Sequence, residues 1–122
     1  MNAFETINDL RDELASDTQA HAAIARDHYN QQADMADLDS DRFEYKSKAE
    51  RANAIWWVCQ AETWANMGEA ARNRTWGGAA EASFAAREHE AEAEHCATRA
   101  DIMFDRSVYY QAEGKRHAET EE

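Results

Sequence analysis

The chain has no proline in 122 residues and only four glycines. Proline and glycine are the residues that break regular backbone, so a sequence almost without them has few ways to turn. Long helices with very few connections are what remains. Alanine, the strongest helix former, fills 26 positions, and strand formers are scarce, with only two valines. We expect an all-α fold, an antiparallel three-helix bundle over about 3–32, 41–75 and 79–111.

The first helix follows from apolar residues at three- and four-residue steps: Ile7, Leu10, Leu14, His21, Ile24 and His28, with Phe4 beside them. Asp37-Leu38-Asp39-Ser40-Asp41 then interrupts the pattern, and Ser40 or Asp41 is suited to cap the second helix. That helix is expected to bury Phe43, Ala49, Ala52, Ile55 or Trp56, Cys59, Thr63 and Ala70. The only glycine pair, Gly77-Gly78, marks the second turn. The third helix carries a heptad series through Ala82, Ala86, His89, Ala93, Cys96, Ala100, Met103, Ser107 and Tyr110.

A hairpin about Gly77/Gly78 places residues at one level when their numbers sum to about 155. Cys59 with Cys96, Ala52 with Met103, Ile55 with Ala100 and Tyr45 with Tyr110 then fall together. The first turn, centred near Leu38, sets His21 opposite Trp56. Residues 1–113 read as a single domain, and residues 114–122 as a polar, fraying tail.

Leu, Ile, Val and Phe together supply only 13 residues, a share that in a highly charged chain usually signals disorder. Four Trp, four Tyr and four Met restore bulk, and alanine seams allow close helix approach. A core this thin leaves room for a homodimer that completes it. The start of the sequence has neither a basic segment nor an apolar run, and no stretch approaches a membrane span. A cytoplasmic location follows as the expectation, with Cys59 and Cys96 as thiols.

The net charge of −12 is unevenly spread. Residues 1–40 carry −7, residues 41–76 carry +1 and residues 77–122 carry −6. Glu5, Asp9, Asp12 and Asp17 recur along the first helix; on the third, Glu88 and Glu92 form one row and Glu90, Glu94, Asp101 and Asp105 another. Carboxylates four residues apart on a helix lie about 6 Å apart along the axis, close to the phosphate spacing of one nucleic-acid strand. Such rows serve either as a solvated face or as a mimic of phosphates in a basic groove. Direct nucleic-acid binding is disfavoured, because phosphate contacts need clustered Lys and Arg. In size, acidity and helical content the chain resembles the small inhibitors that phages direct against host defence enzymes, DNA mimics among them. That resemblance implies a protein partner that handles nucleic acid through a basic channel, as CRISPR effectors do.

A second class of reading rests on tryptophan. Trp57 and Trp64 share a face of the second helix, and Trp76 stands near the second turn. They can pack in the core or present an aromatic patch to a partner, as in an adaptor bundle. No catalytic residue or cofactor is assigned. Glu92 and His95 make a single E-x-x-H where di-iron bundles need two, and Cys59 and Cys96 lack the further ligands of a zinc site.

Overall fold

The structure, a computed structural model, describes residues 19–73 and 79–121. They form an all-α bundle of three helices: α1 (Gln19–Met35), α2 (Asp39–Arg72) and α3 (Ala79–Thr120). No described helix is long and apolar enough to cross a membrane. The glycine-pair turn and the start of the first helix lie outside the described residues.

Helix α2 is the central element. It packs along both α1 and α3, whereas no Cα of α1 lies within 8 Å of α3 among the described residues. The expected hairpin register is present. Ser47 meets Ser107, Asn53 meets Met103, Trp57 meets Arg99 and Trp64 meets His89, each within two residues of the predicted level. The first turn is also in register, since Lys48 lies over the Tyr29 ring and Arg26 donates to Asn53 Oδ1.

The reason α2 and α3 fit is a ladder of small residues. Ser40, Ser47, Ala54, Ala61 and Gly68 recur every seventh position on α2, and Gly114, Ser107, Ala100, Ala93 and Ala86 recur opposite them on α3. Side chains of this size let two backbones approach closely, which raises dispersion contact without large apolar groups. The two glycine rungs show how close. A Cβ on Gly68 would sit 3.2 Å from Glu90 Cγ and 3.4 Å from the Ala86 carbonyl oxygen, and one on Gly114 would sit 3.3 Å from the Ser40 carbonyl oxygen. Between them the buried Ser47 hydroxyl donates to the Ser107 carbonyl at 2.7 Å. A thin aliphatic inventory is therefore compatible with a tight core around Ile55, Val58, Ala22 and Ala100.

Four expectations need correction. Helix α2 starts at Asp39 with Leu38 in the N-cap position and no side-chain cap. The carboxylate of Glu121, just past the end of α3, does that work, accepting from the Ser40 N–H at 3.2 Å and its hydroxyl at 2.6 Å. Helix α3 runs to Thr120 rather than 111, so the expected tail from Gly114 is helical and Gly114 is buried against α2. Thr63 and Ala70 are exposed, and α2 instead buries Ala54, Val58, Ala61, Gly68 and Ala71. On α1 the expected seam faces outward: His21, Ile24 and His28 are exposed, while Ala22 and Ala33 are buried. Alanine wins that face because it permits closer approach to α2.

Candidate interaction surface

The acidic residues of α3 divide by what surrounds them. Glu90 is held by Arg72 of α2 through paired hydrogen bonds of 2.6 and 2.8 Å, which keep its carboxyl below the usual range. Glu88, Glu92 and Asp101 are exposed on α3 and make no ion pair among the described residues. Glu94 and Asp105 are exposed on the same helix. Glu5, Asp9, Asp12 and Asp17 lie outside the described residues. These carboxylates make two negative strips that flank the α2-facing seam, Glu88 and Glu92 on one side of α3 and Glu94, Asp101 and Asp105 on the other.

The tryptophans sit elsewhere. Trp57 and Trp64 are half-buried and turned toward α3, Trp57 beneath the Arg99 guanidinium at 5.0 Å and Trp64 tilted on the His89 ring at 5.3 Å. Trp56 meets Trp57 edge to face at 4.9 Å. The rings of Trp57 and Trp64 thus make intramolecular contacts, and a partner could reach only their open edges. Trp76 lies outside the described residues.

Neither cysteine forms a disulfide. Cys96 is buried in the α2-facing seam of α3, and burial, with Glu92 nearby, pushes its thiol upward. A thiol so raised is a weak nucleophile and metal ligand at neutral pH. Ligand atoms of Asp39, His117 and Glu121 lie within 4.8 Å of one another. Each is already engaged: Asp39 with Arg42, Glu121 with Ser40, and His117 against the Phe43 ring. This group was not legible in sequence, because two of its members fall in the stretch taken for a tail.

One charged residue stands in the helix seam itself. Glu50 projects toward α3, its side chain 20% exposed, with Oε2 4.0 Å from Arg106 Nε and without a hydrogen bond. Burial pushes its carboxyl up, and Arg106 offsets this only in part. The folded state therefore holds this proton to higher pH than the unfolded chain does. Its contribution to stability falls as pH rises from the ordinary carboxylate range through the raised folded value, and the penalty is complete above that. Glu50→Gln should raise unfolding free energy at pH 7 by somewhat under about 1 kcal/mol, since Arg106 is exposed and loses little. The gain should shrink as the pH is lowered below that window. Urea melts at pH 7 and pH 4 check this, and an advantage that grew at low pH would refute it.

Compared with protein-family models, curated proteins and solved structures, the chain matches none.

Proposed function

We propose that this is a small non-enzymatic inhibitor that binds a basic, nucleic-acid-handling protein and occupies its nucleic-acid groove. The observation that supports it is the set of exposed, unpaired carboxylates on α3, Glu88, Glu92 and Asp101. A partner that brings cations to these groups gains attraction without first breaking an internal ion pair. Glu88 and Glu92 are one turn apart, about 6 Å along the axis, which suits a groove built to hold successive phosphates. Glu5, Asp9, Asp12 and Asp17 are the further carboxylates assigned to binding in this proposal.

The mechanism is steric and electrostatic occupation, with no bond made or broken. A phage-type anti-defence role in the host cytoplasm, against CRISPR effectors or enzymes with similar channels, is the setting in which such a protein has a use. Charge steering makes association fast and salt-sensitive.

The test is a pull-down from lysate at low and at high salt, with the native chain and with Glu88→Lys/Glu92→Lys/Asp101→Lys. Nucleic-acid-binding proteins should be retained at low salt, released at high salt and lost with the charge-reversed chain. DNA added as competitor should displace them. Retention that ignores both salt and charge reversal would overturn the electrostatic mechanism.

A further inference from the structure

We propose that the groove between the first turns of α2 and the last turns of α3 is a binding site for a small phosphate monoester, held by Arg51 and Lys115. This site is independent of the acidic strips and does not rest on the inhibitor reading.

The groove encloses about 450 Å³, within the size range of small-molecule sites. It lies at the Ser40/Gly114 end of the ladder, with Ser47 and Gly114 in its lining. Lys48 and Arg51 stand on the α2 side, with Gln111 and Lys115 on the α3 side. In a chain of net charge −12, this groove draws together three cations, including two of only three lysines.

Those cations are not equivalent. Lys48 lies 3.6 Å from Glu44 and over the Tyr29 and Tyr45 rings, so its charge is answered. Arg51 has no carboxylate partner among the described residues. One amino group donates to Gln111 Oε1 at 2.7 Å, while its Nε is buried with no hydrogen-bond partner. A buried N–H without an acceptor is unfavourable, and a small turn of the guanidinium would bring it to a ligand oxygen. Lys115 is exposed and forms no ion pair among the described residues. The remaining acid of the lining, Asp41, lies in the first turn of α2, where the helix dipole opposes its charge. Two uncompensated cations on facing helices suit a dianion better than a single carboxylate. A guanidinium fork with an ammonium opposite is a donor set that phosphate oxygens accept.

The experiment uses the full chain with ribose 5-phosphate as probe, by calorimetry and thermal shift. Inorganic phosphate, ribose and sodium chloride of matched ionic strength are the comparisons. We expect saturable binding of ribose 5-phosphate, weakened about tenfold or more in Lys115→Gln and in Arg51→Gln. Arg116→Gln, exposed and outside the groove, should bind as the native chain does. Equal binding of inorganic phosphate supports the site and assigns recognition to the phosphate alone. Absence of saturable binding by either phosphate probe overturns the proposal. So does equal binding of ribose, or undiminished affinity in Lys115→Gln, whose exposed position leaves folding intact.

Discussion

Ala100→Leu is expected to destabilise the protein by about 3 kcal/mol, the upper end of what overpacking a core usually costs. Ala100 is 1% exposed and faces Ala54, itself fully buried, at the middle rung of the ladder. Three added carbons there cannot turn outward, because both neighbouring rungs are also small-residue contacts held at backbone distance. The helices must separate along several turns, and that loosens Ser47 from Ser107 as well as the Ile55 and Val58 layer. Against a total stability of about 5–15 kcal/mol such a loss is large. Ala112→Leu on the exposed face of the same helix should change stability by less than about 0.5 kcal/mol. Combining Ala54→Gly with Ala100→Leu should recover part of the loss, since the two sites share one space. Chemical unfolding followed by helix ellipticity reads all three. If Ala100→Leu unfolded at the native midpoint, the ladder would not be what sets helix spacing.

That ladder also explains what could be read from sequence and what could not. The heptad from Ala86 to Tyr110 was legible because period, not side-chain size, reveals a buried seam. Its continuation to Gly114 and His117 was missed, because glycine in a helix reads as a stop when its neighbour is unknown. Gly114 is there for lack of room, with the Ser40 carbonyl in the way. The orientation of α1 failed for a related reason. Size pointed to Ile24 and His28, whereas close packing selected Ala22 and Ala33. Exposure of Glu88, Glu92 and Asp101 was predictable, since an unpaired carboxylate stays in water. The pairing of Glu90 with Arg72 was not, because it needs the register of the folded hairpin. The same holds for the cation groove, whose Lys115 lies in the stretch taken for a tail.

The acidic strips and the tryptophan face can be separated by what each substitution does to the fold. Trp57→Ala removes a ring that packs against the core cluster and lies under Arg99, so it should cost about 2–3 kcal/mol, less than a fully buried tryptophan. Neutralising both strips with Glu88→Gln, Glu92→Gln and Asp101→Asn should leave stability unchanged or raise it by a few tenths of a kcal/mol, because Glu88 and Glu92 repel at one-turn spacing. Partner binding should follow the opposite order. The neutralised chain stays folded and loses affinity, whereas Trp57→Ala, measured where it is still folded, keeps it. Affinity and unfolding free energy taken on the same two proteins decide the matter. Native stability in Trp57→Ala together with lost binding would move the partner surface to α2, because the ring would then be held for contact rather than for packing. Under that outcome the exposed carboxylates of α3 would serve mainly to keep an alanine-rich bundle from associating with itself.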